Sequence, residues 1–228
     1  MKISNFNRML NTNSFFVKEV NRRKLTWKFK GLIFLVVILL VALLRNPILY
    51  SLGSFLVYDS GEISKADIVL LEEDINSKDG IKSCLDLYNK GLCKEIWAVK
   101  IVDTSFIYTD KEYLQFINSV LDSGGYKVKL KYFIFDVEHP VTLNKSLHIL
   151  DSMKAKNYSS VILVTNAFHS KRSYKVYNKI FQSNGISIQS KVYYTKVNLD
   201  SWYSNSYGLR YVFPEYIKYV YYSFRGFF

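Results

Sequence analysis

The sequence predicts an α/β domain on a mostly parallel five-stranded sheet, preceded by one N-terminal transmembrane helix. Three observations carry that expectation. From residue 66 to residue 224, short apolar runs alternate with longer stretches of helical periodicity, which is the pattern of successive βαβ units. One run, Val161-Ile162-Leu163-Val164, has four apolar residues in a row, three of them β-branched, as a strand covered on both faces requires. Ahead of the domain, Gly31 to Leu44 is fourteen residues without a charge.

Composition narrows the class. The 228 residues suffice for one α/β domain plus an anchor, and a hydrophobic content of 49% excludes general disorder. The formal charge of +12 is uneven. The first thirty residues hold eight Lys/Arg against one acid, Glu19, and the remaining 23 basic and 18 acidic residues leave +5. The basic signal is therefore largely a tail, and no zinc finger, Gly-x-x-Gly loop or RNP-type strand accompanies it, so no nucleic-acid partner is expected. Two cysteines, Cys84 and Cys93, rule out a disulfide framework; they read as two buried thiols, with a single bridge as the alternative.

The anchor is read as a span over residues 27–45, behind a cytoplasmic tail of residues 1–26. Fourteen residues alone are short of the roughly 20 that a span needs. Lys28 and Lys30 can snorkel, however, and Trp27 suits an interface, so the span can begin there. Basic residues ahead of it place the tail inside by the positive-inside rule, and the rest of the chain outside the cytoplasm. Residues 46–60 form a lead-in, read as an interfacial helix or a segment packed on the domain. A cleaved signal peptide is the rival; its n-region would be overlong and no good cleavage site follows.

In the domain, residues 61–228, Ala66 to Leu71 reads as the first strand and Asp79 to Lys90 as a helix that Gly91 stops. Glu95 to Val102 is the second strand, and Thr109 to Asp122 a helix ended by Gly124-Gly125. Lys129 to Phe135 is the third strand. Thr142 to Lys156 follows as a helix with Leu143, Leu147, Leu150 and Met153 inward and Thr142 suited to its cap. The fourth strand ends at Thr165-Asn166, where Asn166 can cap a helix from Ala167 to Ile180. Ile186 to Tyr194 is the fifth strand. Trp202-Tyr203 leads to an aromatic closing helix, Tyr207 to Phe224, read mainly as core with some membrane contact at its end.

His169 and Arg172 are three apart, so they share one face of the fourth-strand helix, one turn from its N-terminus. A helix N-terminus favours anions, and an imidazole and a guanidinium added there make a phosphate or carboxylate seat. The competing reading is an ordinary strand-to-helix turn with a surface His and Arg. In a parallel sheet the strand ends share one edge, where ligands of open α/β sheets bind. Four tips would gather: Glu72-Glu73-Asp74, Asp103-Thr104, Asp136-Glu138-His139, and Thr165-Asn166 with His169 and Arg172. Such a crevice can serve acid–base chemistry or hold a divalent metal, although the spacing matches no metal motif and no metal is assigned. No Gly-x-Gly-x-x-Gly, P-loop or Gly-x-Ser-x-Gly occurs, which disfavours standard dinucleotide, triphosphate and serine-hydrolase chemistry. Each acid taken singly reads more readily as a helix cap. His148 has no evident role.

The chain resembles the YdcF-like family, which includes the envelope proteins SanA and ElyC. The resemblance rests on the span followed by Arg45-Asn46-Pro47, on Lys65-Ala66-Asp67-Ile68-Val69-Leu70, and on Leu87-Tyr88-Asn89-Lys90-Gly91. It continues in Glu138 and Thr142, Val164-Thr165 through His169-x-x-Arg172, Trp202, Gly208-Leu209-Arg210 and Glu215-Tyr216-Ile217-Lys218. It departs where the family has glycines after the first strand, Ser-Gly-Gly after the second, and Thr-x-Glu-Asn before the third helix. Here those places hold Glu72-Glu73-Asp74, Val99-Lys100-Ile101-Val102 and Thr142-Leu143-Asn144-Lys145. Glycine lets backbone approach a ligand closely, so the losses point to a changed ligand or a lost activity.

The resemblance implies a Rossmann-like, three-layer domain on one anchor in the plasma membrane, acting in cell-envelope biogenesis on peptidoglycan, lipid carrier or surface polysaccharide. It assigns no cofactor and settles no reaction. In the first reading the crevice binds an anionic or phosphorylated precursor. His169 is then the acid–base group or donor, Arg172 the clamp, and Thr165, Asn166, Thr142, Glu138 and Glu72 complete the site. In the second, the chain is a non-catalytic scaffold for other envelope proteins, with a degenerate site. A nucleotide- or methyl-donor enzyme would need the crevice to face the cytoplasm.

Overall fold

The computed structural model describes residues 26–72, 78–102, 115, 119, 128, 130–136 and 138–228, with backbone alone for residues 100–102 and 135. The basic tail, most of the helix expected over Thr109–Asp122, and the tips Glu73-Asp74 and Asp103-Thr104 lie outside the described residues. The described elements run α1 (Trp27–Phe55), β1 (Ile68–Leu71), α2 (Lys78–Asn89), β2 (Glu95–Val102), β3 (Leu130–Asp136), α3 (Val141–Ala155), β4 (Ser160–Asn166), α4 (Ala167–Gln182), β5 (Ser187–Tyr193) and α5 (Ser206–Phe224). A single 3-10 turn, Trp202–Ser204, precedes α5.

The five strands form one sheet in the order β3-β2-β1-β4-β5, and every neighbouring pair is parallel. The chain starts at the centre, winds outward through β2 and β3, then returns to lay β4 on the other side of β1. Ile68 stands opposite both Glu95 and Val161. The strand order therefore reverses between β1 and β4, and the crevice beyond such a reversal is where open parallel sheets bind ligands.

Side chains alternate along each strand, which divides the core into two layers. Val69, Leu71, Ile96, Ala98, Ile162 and Val164 meet Ile81, Cys84 and Leu85 of α2. Ile68, Leu70, Trp97, Val99, Val161 and Leu163 meet Ile149 and Met153 of α3 and Tyr177 and Phe181 of α4. Both faces are covered, so β1 and the Val161–Val164 stretch of β4 are continuously apolar rather than alternating. Each fully buried Val, Leu or Ile here contributes about 1.5–3 kcal/mol. Both cysteines are free: Cys84 is buried and Cys93 half-buried. Burial pushes both thiols up, that of Cys93 to about 11, so neither is a reactive thiolate.

The chain divides after Arg45 into two compact units. In the first, the helix from Trp27 to Arg45 is exposed throughout, and α1 is long and apolar enough to cross a membrane. The nineteen residues from Trp27 to Arg45 measure roughly 28 Å, close to the hydrocarbon thickness of a bilayer. In the second unit, α1 continues through Pro47 to Phe55, and these last residues pack on the domain. Trp202 Nε1 donates to the Leu49 carbonyl at 3.0 Å and Tyr216 Oη to the Leu52 carbonyl at 2.6 Å. Gly53 allows this approach, since a Cβ there would lie 2.6 Å from Trp202 Nε1.

One helix is turned from its expected setting. The inward stripe of α3 is Thr142, Lys145, Ser146, Ile149, Leu150 and Met153, while Leu147 is 43% exposed. The C-terminal half of the stripe faces the apolar core. The N-terminal half reaches past the sheet edge, where a buried carboxylate requires a cation, and Lys145 supplies it.

Candidate functional site

The site begins with where β1 and β4 end. Glu72 follows β1, its N–H donating to the Val164 carbonyl at 2.9 Å, and its side chain is fully buried. By alternation Glu72 falls on the α3/α4 face, with Ile68 and Leu70. Thr165 occupies the same face of β4, with Val161 and Leu163. Asn166 ends the strand and caps α4, its Oδ1 accepting from the Phe168 N–H at 3.1 Å. That cap sets the first turn of α4, and His169 and Arg172 follow on the inward side.

Both side chains are 4% exposed. The Arg172 guanidinium is engaged on three nitrogens. Nε donates to Glu215 Oε2 at 2.9 Å and Nη1 to Thr142 Oγ1 at 2.7 Å. Nη2 lies 3.2 Å from Glu215 Oε1 and 2.8 Å from His169 Nδ1. The pair with Glu215 is the bidentate arrangement that guanidinium and carboxylate favour. The ring of Tyr222 lies 4.9 Å from the guanidinium carbon, and its hydroxyl accepts from the Thr142 N–H at 3.3 Å. Glu215 and Tyr222 both come from α5, so the closing helix seals this face of the site.

His169 stands between two carboxylates. Nδ1 lies 3.1 Å from Glu215 Oε2, and Nε2 lies 2.7 Å from Ser173 Oγ and 3.8 Å from Glu72 Oε2. The two contacts at Nδ1 exclude each other as hydrogen bonds. A proton on Nδ1 donates to Glu215, whereas a lone pair there accepts from Arg172. Glu72 also pairs with Lys145, Oε1 to Nζ at 3.0 Å, and Lys145 is 2% exposed. Lys218, on the solvent side, reaches Glu215 Oε1 at 2.9 Å. Burial alone would raise the Glu215 pKa, but the charges and hydrogen bonds of His169 and Arg172 hold it well below the ordinary carboxylate range.

Ser173, His169 and Glu215 follow one another as hydroxyl, imidazole and carboxylate, the order of a nucleophilic triad. The Ser173 hydroxyl is fully buried beneath its own helix, so an acyl or phosphoryl group has no approach to it. The row joins α4 to α5 rather than presenting a nucleophile. Among the described residues, no group of three His, Cys, Asp or Glu side chains is placed to hold a metal ion.

Of the residues singled out from sequence, Glu72, Thr142, His169 and Arg172 meet in one connected network. Asn166 serves as the cap. Thr165 is buried at the end of β4, and among the described residues its hydroxyl has no hydrogen-bond partner. Glu138 is exposed; its backbone carbonyl accepts from Asn144 Nδ2 at 3.1 Å, and it stands outside the network. Thr142 lies inside α3, two residues past the cap Pro140, and accepts from Arg172 instead of capping the helix. Sequence reasoning did not assign Glu215, Lys145 or Ser173 to the site. Glu215 carried a signal, being the only acid in a long aromatic helix. A buried His and Arg on one face require such a counter-ion.

Fold and site together define a class: an all-parallel α/β domain behind a long apolar helix, with a charged cluster at the strand reversal that the last helix closes. No protein-family model, curated relative or solved structure matches the chain significantly.

Proposed function

We propose that this chain is a single-pass, plasma-membrane-anchored protein with a Rossmann-like domain outside the cytoplasm, acting as a tethered scaffold in cell-envelope assembly. The proposal takes its setting from the YdcF-like resemblance and the apolar helix. Its non-catalytic character rests on one observation: the guanidinium of Arg172 is engaged by Glu215 on two nitrogens and by Thr142 on the third, and Arg172 is 4% exposed. An anion entering this seat would first have to displace a buried carboxylate, and separating a buried ion pair costs about 3–5 kcal/mol.

A second reading, binding of an anionic or phosphorylated envelope precursor, is favoured by the buried hydroxyl of Thr165 at the end of β4, which has no hydrogen-bond partner among the described residues. A buried hydroxyl without a partner costs about 1–3 kcal/mol, which a ligand oxygen would recover. Two measurements separate the readings. A reporter fused after Phe228 should register outside the cytoplasm; a cytoplasmic signal dismisses the envelope setting. Arg172→Met/Glu215→Leu removes the ion pair at similar volume. A scaffold keeps its cellular role in this variant. Loss of that role with the fold intact by circular dichroism, together with wild-type binding of pyrophosphate in titration calorimetry, supports the ligand reading instead.

A further inference from the structure

We infer that α5 is an interfacial helix that lays its outer face on an anionic bilayer surface, beside the point where the chain leaves the span. The inference rests on the anchor reading above and adds a second membrane contact to it.

The outer face of α5 is apolar where a domain surface would ordinarily be polar. Phe213, Ile217, Val220 and Phe224 recur at spacings of four, three and four, so they form one stripe, and they are 59%, 71%, 63% and 90% exposed. The opposite face, through Gly208, Val212, Glu215 and Tyr222, is buried against the domain. The helix is thus amphipathic in the reverse sense to a surface helix: its polar anchor points inward and its apolar stripe points out. Continuous apolar exposure of this kind marks a contact surface.

Charge and position indicate what covers it. Arg210 and Arg225 are exposed beside the stripe, as is Lys218, whose ammonium also reaches Glu215 Oε1 at 2.9 Å, while Glu215, the only acid between Ser206 and Arg225, is buried. A cationic flank beside an aromatic stripe matches the headgroup region of an anionic bilayer. Position agrees. Leu49, whose carbonyl accepts from Trp202 Nε1, is only four residues along the chain beyond Arg45. Phe55 stacks on Tyr216 at 5.8 Å and meets Tyr219 edge-on at 5.4 Å. The residues that follow the span therefore hold α5, and Ile48 and Tyr50 beside it are also exposed.

The test uses the full chain in nanodiscs of phosphatidylglycerol and phosphatidylcholine. Single cysteines in a Cys84→Ala/Cys93→Ser background carry an NBD label at Leu39→Cys in the span, Ile217→Cys on the stripe, or Asp86→Cys on α2 across the sheet. Lipid-borne nitroxide should quench positions 39 and 217 roughly threefold more strongly than position 86. Quenching at 39 but not at 217 overturns the inference and leaves the anchor standing. No quenching at 39 removes the anchor and the inference together. If labels at 217 are shielded from lipid while Ile217→Cys chains cross-link to one another, a second copy covers the stripe and the inference fails. Ile217→Glu/Val220→Glu, which alters only exposed positions, should leave the circular dichroism unchanged. The NBD label, moved to Phe213→Cys in that double variant, should lose at least half its quenching.

Discussion

At the scale of single residues, Glu215 decides what His169 and Arg172 can do. Without it, a guanidinium and an imidazole at a helix N-terminus form an anion seat; with it, the guanidinium is the positive half of a buried ion pair and the imidazole is packed beside that pair. Removing one side leaves the other uncompensated, and such losses cost about 3–5 kcal/mol. Glu215→Leu should lower the unfolding free energy of the full chain in detergent by that order. Arg172→Met/Glu215→Leu should recover part of the loss, with a coupling above about 1 kcal/mol in a double-mutant cycle. Strict additivity in denaturant titrations rules out the pair as a unit.

At the scale of elements, α5 depends on how its start meets the turn before it. Asn205 caps the helix by accepting from the Gly208 N–H at 2.8 Å. Gly208 itself lies against the turn so closely that a Cβ would run into the Trp202 carbonyl. This glycine is required by proximity rather than by a left-handed backbone. Gly208→Ala should force α5 away from Trp202 and lower thermal stability by about 1–3 kcal/mol, the usual cost of overpacking. The nearby Leu209→Ala, at an exposed position, should stay within about 0.5 kcal/mol. Equal melting temperatures for wild type and Gly208→Ala would show that the contact has room to relax.

At the scale of the whole molecule, ion pairs hold the sheet at both of its edges. Beyond the carboxyl ends of the strands lie Glu72 and Glu215. At the amino ends, Asp67 accepts from the Ser159 and Ser160 N–H groups and from the Ser160 hydroxyl, and it pairs with Lys94 at 2.6 Å, joining β1 to β4 and to β2. Glu95 accepts from Trp97 Nε1 and pairs with Lys156 at 2.7 Å. Burial works to raise both acids, but these hydrogen bonds and cations bring each down to about 2. A folded-state pKa below the unfolded value means that the unfolded chain binds protons first as the pH falls. The stabilisation is therefore complete above about pH 5 and is lost as the pH drops from about 4.5 towards 2. Urea midpoints of the full chain should be level from pH 7 to 5 and then fall. Asp67→Asn should make that fall shallower; an unchanged acid limb counts against the role given to Asp67.

Much of the fold was legible in the sequence, because burial on both faces writes itself as apolar runs. Glu95–Val102 stands as read, and β1, β3, β4, β5 and α5 differ from expectation by a residue or two at their ends. The local chemistry at the end of β4 was legible too: a cap at Asn166, then His169 and Arg172 on one side of a helix. The strand order was not, since an apolar run does not name its neighbours. Nor was the setting of α3, where Lys145 rather than Leu147 turns inward because Glu72 is already buried there. Sequence by itself determined the elements, the apolar helix and the face shared by His169 and Arg172, because these follow from residues a few positions apart. Tertiary structure alone decided that Glu215, forty-three residues beyond Arg172, takes up its guanidinium, because only packing brings distant charges within reach.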